Sequence, residues 1–218
     1  MTNTKRLFWI VIAGIILYVI LDAVAQLLPP YYSPISQAES DLAVGQYGYI
    51  MTINFLNRGI LSLVFLYAFL KTIRPSEMEN KQYRRGIYLM SVWGIGALIL
   101  AVFPTDVPST PVSWHGAIHL LVAILAFLGG AFGALYLSLY LTRNKEWPSI
   151  KRYALPISYL AVIFCLMVIG LPFVLPKLST NIGGLIERIF IGLVLLWMAI
   201  ISLCQLRQKS TSETSGAL

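Results

Sequence analysis

The chain has 218 residues, of which 58% are hydrophobic and only 11% are charged. Soluble domains carry about 45–50% apolar and about 25% charged residues, so this composition excludes a soluble globule. The net charge of +7 does not indicate nucleic acid, because the basic residues lie in loops between apolar segments, as expected for orientation in an anionic bilayer.

Six apolar segments account for most of the chain, and each is long enough to cross a bilayer core of about 30 Å. The predicted spans are residues 7–28, 50–70, 86–103, 111–141, 153–175 and 184–206. No room remains for a separate soluble domain. We therefore predict an all-α fold in which residues 1–206 form one six-helix transmembrane bundle, followed by a disordered tail over residues 207–218.

The first span has an alternative interpretation as a signal peptide. Lys5 and Arg6 precede the apolar run, and Ala23-Val24-Ala25 resembles a small-residue cleavage site. The run is longer than the 7–15 residues that are usual for a signal core, which favours a membrane span.

The fourth span begins with a helix signal and two histidines. Thr110 followed by Pro111 predicts an N-cap and a first helical residue. His115 and His119 are four residues apart, so a helix would place both on one face. With Asp106 from the preceding loop, they form a candidate metal site whose ligand types suit zinc. The alternative is that both histidines are interfacial residues bonded to loop carbonyls.

Glycine patterns mark two further features. Gly129 and Gly133 form a G-x-x-x-G pair, which predicts close helix packing in the fourth span. The sixth span is predicted to begin near Gly184, after an S-x-N-I-G-G turn.

The distribution of basic residues predicts the topology. The amino terminus, the second loop, the fourth loop and the tail hold two, five, four and two Lys or Arg residues, thirteen in all, whereas the alternate loops hold only Lys177. By the positive-inside rule, both termini are cytoplasmic in a protein of the cell membrane.

On this topology the unusual polar residues fall on the outer side and predict an outward-facing polar pocket. Arg58 lies on the order of 12 Å below the start of its helix, where a charge costs about 2.5–3.5 kcal/mol. It therefore needs a carboxylate partner or an anionic ligand. The candidate substrate-binding residues are Asp22, Asn57, Arg58 and Arg188. The structural alternative is an ion-pair network of Asp22, Arg58, Glu187 and Arg188 that ties helices one, two and six together.

The candidate catalytic residues are Asp41 and Glu187 as acid or base and Ser40 as a nucleophile if a histidine reaches it. The alternative for Ser40 and Asp41 is that they cap a short helix or turn the loop.

Five short motifs, in order, cover nearly the whole chain: ISQAESDL, NFLNRG, FPTD, a histidine entering helix four, and GGLIER. Their pattern resembles the six-span bacterial and archaeal membrane family catalogued as domain of unknown function 998. The resemblance implies the architecture and a functional surface built from Ser40, Asp41, Asn57, Asp106, His119 and Arg188. The chain is also faintly similar to membrane-embedded hydrolases of the ceramidase type, but it has two histidines, six spans and no paired histidines in its last span.

We therefore expect a membrane protein whose pocket binds or modifies a lipid head group or a small envelope metabolite, with metal-assisted hydrolysis as the enzymatic form. The expected partners are membrane lipids and not nucleic acid. The alternatives are a transporter with a buried charged pathway and a non-catalytic assembly or sensor protein.

The charge distribution makes a testable prediction about orientation. A reporter that is active only in the cytoplasm should be active when fused after Leu218, and a reporter inserted near Asp106 should report the outside. The reverse result at either position would contradict the predicted topology.

Overall fold

The computed structural model describes residues 3–28, 32–72, 80–108, 110–143 and 150–207. These residues contain six long helices and no strand: α1 Asn3–Leu27, α2 Gly48–Leu70, α3 Lys81–Val102, α4 Trp114–Leu141, α5 Leu155–Val174 and α6 Pro176–Arg207. All six are long and apolar enough to cross a membrane, so the predicted six-span all-α fold is confirmed. The predicted disordered tail, apart from Arg207, lies outside the described residues.

The six helices form a closed ring. Each helix packs against its neighbours along the chain, α6 returns to α1, and α6 also touches α4. Large aromatic side chains fill the centre, where Trp93 and Trp197 are fully buried. The indole nitrogen of Trp197 donates a hydrogen bond of 2.7 Å to the hydroxyl of Ser138, which satisfies its polar atom within the apolar core.

The G-x-x-x-G pair packs α4 closely against α3, as predicted. A Cβ atom at Gly129 would lie 2.6 Å from the carbonyl oxygen of Leu89, and one at Gly133 would lie 2.8 Å from the backbone nitrogen of Met90. The two backbones approach this closely only because neither glycine has a side chain.

The start of α4 differs from the prediction. The helix begins at Trp114, and its N-cap is Ser113, whose hydroxyl accepts a hydrogen bond from the Gly116 nitrogen at 3.1 Å. The carboxylate of Asp106 stabilises this cap, because it accepts hydrogen bonds from the Ser113 hydroxyl at 2.5 Å and from the Ser113 nitrogen at 2.9 Å. The predicted start at Pro111 is wrong, because the hydrogen bonds between Asp106 and Ser113 stabilise a cap further along the chain than the one that the Thr-Pro pair predicted.

The start of α6 also differs from the prediction. The helix begins at Pro176, so the S-x-N-I-G-G segment is helical and not a turn. Gly184 makes room for packing, since a Cβ atom there would overlap the carbonyl oxygen of Gln37 and lie 2.9 Å from that of Pro34. The nitrogen of Leu185 donates to the Ile35 carbonyl at 2.9 Å.

Residues 32–47, between α1 and α2, form what we call the cover segment. Arg188 on α6 holds it, with Nη1 donating to the carbonyl oxygens of Pro34 and Gln37 at 3.1 Å each. Nη2 of Arg188 hydrogen-bonds the hydroxyl of Tyr32 and lies 3.9 Å from Oδ1 of Asp22 on α1. The cover segment is therefore attached to both α1 and α6 at one end of the bundle, which we call the acidic end.

The two neighbouring glycines of α6 provide a matched test of this attachment. Gly184→Ala should destabilise the protein by about 1–3 kcal/mol, because the new methyl group overlaps backbone atoms of the cover segment. Gly183→Ala should be neutral or stabilising by up to about 1 kcal/mol, because alanine favours helix and the nearest atom is 3.6 Å away. Thermal unfolding in detergent measures both, and equal effects would contradict the docking geometry.

Candidate functional site

A cavity of about 410 Å³ lies at the acidic end of the bundle, beneath the cover segment. Polar side chains form one part of its wall: Ser40, Asp41, Arg58, Thr105, His119 and Glu187. The apolar part comes mainly from one face of α4 and one face of α5: Leu120, Ala123, Ile124 and Phe127, with Val168, Ile169, Pro172 and Phe173. The cavity therefore combines a charged interior end with an apolar passage between two helices.

The structure brings half of the sequence-predicted site residues to this cavity. Those that line it are Ser40, Asp41, Arg58, His119 and Glu187. The other predicted residues are not part of its lining: Asp22, Asn57, Asp106, His115 and Arg188.

Arg58 is the most unusual residue of the cavity wall, because its side chain is only 1% exposed. Its guanidinium carbon lies 4.7 Å from the ring centre of Trp93 and 5.2 Å from that of Phe55. Among the residues that the structure describes, Nε and Nη2 have no hydrogen-bond partner. Each unsatisfied buried donor costs about 1–3 kcal/mol, and more on a charged group, so Nε and Nη2 are donors that an added acceptor would satisfy.

The carboxylate nearest to Arg58 comes from the cover segment and not from helix one or helix six. Oε2 of Glu39 lies 4.0 Å from Nη1 of Arg58, and Oε1 accepts a hydrogen bond from the hydroxyl of Tyr18. Glu39 is itself only 2% exposed. Glu39 was not among the predicted site residues. The one indication in the sequence was that Glu39 lies in an acidic loop on the same side of the membrane as Arg58.

The predicted four-residue ion-pair network forms only in part. Arg188 and Asp22 do connect α6 to α1, but the partner of Arg58 is Glu39. Glu187 forms no salt bridge within the described part of the chain and lies on the cavity wall instead.

His119 is buried and held in one orientation. Its Nδ1 lies 2.7 Å from the carbonyl oxygen of Phe103. Because a carbonyl oxygen only accepts hydrogen bonds, Nδ1 carries the proton. The remaining nitrogen, Nε2, is then the ring atom that can accept a hydrogen bond from a ligand in the cavity.

The structure does not gather the three predicted metal ligands into one site. Both oxygens of Asp106 bond Ser113, and these hydrogen bonds hold the pKa of Asp106 below its usual value. The ring of His115 packs against Trp114 and Phe103, and His119 bonds the Phe103 carbonyl. Across the described ranges, no three His, Cys, Asp or Glu side chains are arranged to hold a metal ion.

Two predicted substrate-binding residues connect helices instead of lining the cavity. Nδ2 of Asn57 donates to the carbonyl oxygen of Gly14 at 2.9 Å, which joins α2 to α1. Asp22 accepts a hydrogen bond of 2.5 Å from Gln26 and pairs with Arg188. Together with the contacts of Arg188 to the cover segment, these bonds position the cavity wall.

Ser40 and Asp41 lie on a short 3-10 turn of the cover segment, Glu39–Ala43, and face the cavity. Among the described residues Ser40 forms no hydrogen bond with His119, whose Nδ1 bonds the Phe103 carbonyl, so a serine-histidine pair that would activate a nucleophile is not formed. Burial raises the pKa of Asp41, because its carboxylate loses hydration, and the positive charge of Arg188 offsets this loss only in part.

Comparison with known proteins adds one finding. The family model described as "Protein of unknown function (DUF998)" matches residues 12–203. No curated protein and no solved structure matches the chain.

The pairing of Arg58 with Glu39 predicts non-additive mutational effects. Arg58→Ala should destabilise the protein by about 3–5 kcal/mol, because it leaves the carboxylate of Glu39 buried without its cation. The double change Arg58→Ala with Glu39→Gln should cost less than the two single changes added, by about 0.5–3 kcal/mol. Unfolding equilibria in mixed detergent measure this difference.

A control cycle combines Glu39→Gln with Arg84→Gln, an exposed arginine near the start of α3. These two changes should be additive. Strict additivity in the Arg58 cycle as well would contradict the pair and indicate that Arg58 instead interacts with water or a ligand.

Proposed function

This chain belongs to the DUF998 family of proteins of unknown function, and we propose that it binds a membrane amphiphile whose anionic head group lies against Arg58. The observation that carries the proposal is the buried guanidinium on the cavity wall with two unpartnered nitrogens. A phosphate or carboxylate oxygen is the natural acceptor for both. Arginine binds such groups in a bidentate manner, with hydrogen bonds about twice as strong as neutral ones.

The apolar wall of the cavity supports an amphiphile over a small polar metabolite. Leu120 on α4 and Phe173 on α5 line the cavity and are also 60% and 85% exposed. The passage between these helices therefore leads from the cavity to the lipid-facing surface. A volume of about 410 Å³ lies within the range of about 300–1,000 Å³ for small-ligand sites, which suits a head group whose chain extends into the bilayer.

The predicted topology indicates on which side of the membrane the cavity lies. With both termini in the cytoplasm, the acidic end and its cavity lie in the outer leaflet of the cell membrane. The ligand is then a lipid of that leaflet or a lipid that passes through it.

Binding is favoured over hydrolysis and over transport. Hydrolysis would require an activated nucleophile or a metal-bound water. Among the described residues Ser40 has no hydrogen bond to His119, and no three His, Cys, Asp or Glu side chains are arranged to hold a metal ion. Transport would require buried charges along a path, and Asp22 and Arg188 instead hold the cover segment.

The experiment compares two single-chain lipids on the purified protein in a neutral detergent. Lysophosphatidic acid carries a phosphate, and a monoacylglycerol with the same chain carries none. At 100 times its dissociation constant, the phosphate lipid should raise the stability of the wild type by about 2.7 kcal/mol, measured by thermal unfolding. The monoacylglycerol should have little effect.

Variants then assign the effect to Arg58. The double variant Arg58→Gln/Glu39→Gln removes the cation without leaving a buried carboxylate, and it should lose the response to phosphate. Arg84→Gln removes a cation at the opposite end and should keep the response. Equal stabilisation of the wild type by both lipids, or a full response in the double variant, would overturn the proposal.

A further inference from the structure

The charges around the cavity do not balance. Four carboxylates lie at the acidic end of the helices and the cover segment, namely Asp22, Glu39, Asp41 and Glu187, and they face only two guanidiniums. Asp22 pairs with Arg188, and Glu39 pairs with Arg58. Asp41 and Glu187 line the cavity, and the structure gives neither a salt bridge among the residues it describes.

This imbalance constrains the ligand. An anionic group at Arg58 would share a low-dielectric cavity with two carboxylates that form no salt bridge among the described residues, and like charges repel strongly in such a medium. Burial already raises the pKa of Asp41, because the ionised carboxylate lacks hydration. A ligand that carries a cation as well as an anion would offset both the repulsion between like charges and the lost hydration of the carboxylates.

The cavity wall also offers hydrogen-bond acceptors besides the two carboxylates. Pro172 has no backbone N–H, so it cannot donate the usual helical hydrogen bond to the carbonyl of Val168, four residues earlier in α5. Both residues line the cavity, together with His119, whose Nε2 is free to accept a hydrogen bond. With the two carboxylates, these acceptors match a group that donates several hydrogen bonds, as a primary ammonium does with its three N–H bonds.

We propose that the ligand head group is zwitterionic, with its phosphate against Arg58 and a primary ammonium between Asp41 and Glu187, as in a phosphoethanolamine lipid. This inference rests on the proposed function, because it specifies the head group bound in the same cavity. The unpartnered nitrogens of buried Arg58 hold the anionic part, and the two unpaired carboxylates hold the cationic part. A primary ammonium is preferred over a trimethylammonium, since only the former donates hydrogen bonds to carboxylates.

The test uses three lysophospholipids with one acyl chain and the same phosphodiester: the ethanolamine, glycerol and choline forms. Dissociation constants for the purified full chain are measured by native mass spectrometry in neutral detergent. The ethanolamine lipid should bind the wild type at least about tenfold more tightly than the glycerol lipid, because it adds charge-assisted hydrogen bonds. It should also bind more tightly than the choline lipid.

Neutral variants of the two carboxylates should remove this preference. Glu187→Gln and Asp41→Asn should each reduce the preference for ethanolamine over glycerol about tenfold, while binding of the glycerol lipid stays equal or becomes tighter. Asp106→Asn is the matched control, because it removes one negative charge at the same end from a residue outside the cavity lining. It should keep the wild-type preference.

The outcomes separate the two proposals. If the wild type binds the ethanolamine and glycerol lipids equally, the zwitterionic assignment is wrong and binding of an anionic head group stands. If the choline lipid binds as tightly as the ethanolamine lipid, the proposed hydrogen bonds from the primary ammonium to the carboxylates do not form. If none of the three lipids binds, the proposed function itself fails. Loss of the preference in Asp106→Asn would also overturn the assignment, because a distant charge would then produce it.

Discussion

The buried guanidinium of Arg58 is the constraint on which the acidic end of this protein depends. A charge in the apolar centre of a helix bundle needs a compensating charge, and here the bundle helices do not supply it. Glu39 supplies it from the cover segment, 4.0 Å away, while Trp93 and Phe55 pack against the cation. The segment between α1 and α2 must therefore fold over the bundle for the second helix to hold its charge.

A second arginine makes that folding possible. Arg188 donates to carbonyl oxygens of the cover segment and pairs with Asp22, so α1, the cover segment and α6 form one unit. Gly184 allows the same backbone to lie directly against α6. The two arginines thus have different roles: Arg188 holds the cover segment, and the buried Arg58 lies on the cavity wall, with Nε and Nη2 unpartnered among the described residues. Asp41 and Glu187 line the same cavity and form no salt bridge among the described residues.

The two histidines show what residue spacing along a helix could and could not predict. Their spacing predicted a shared face, and His119 does line the cavity. The third predicted ligand, Asp106, instead bonds Ser113 and fixes where α4 begins. A carboxylate a few residues before a helix has two competing uses, as a ligand or as a support for the helix cap, and only the path of the connecting loop selects between them. Likewise, Glu39 could not be distinguished from other loop acids until that loop was placed over Arg58.

The sequence by itself determined six membrane spans, an all-α bundle and the close α3–α4 contact at Gly129 and Gly133, because each depends on local composition and short spacing. Half of the predicted site residues line the cavity, and Arg58 and Glu187 among them were predictable because an ionisable residue within an apolar span indicates an interior position. Only the tertiary structure decided the partner of Arg58, the docking of the cover segment and the start of α6. These depend on contacts between residues far apart in the chain, whose free energies outweigh local helix and turn preferences.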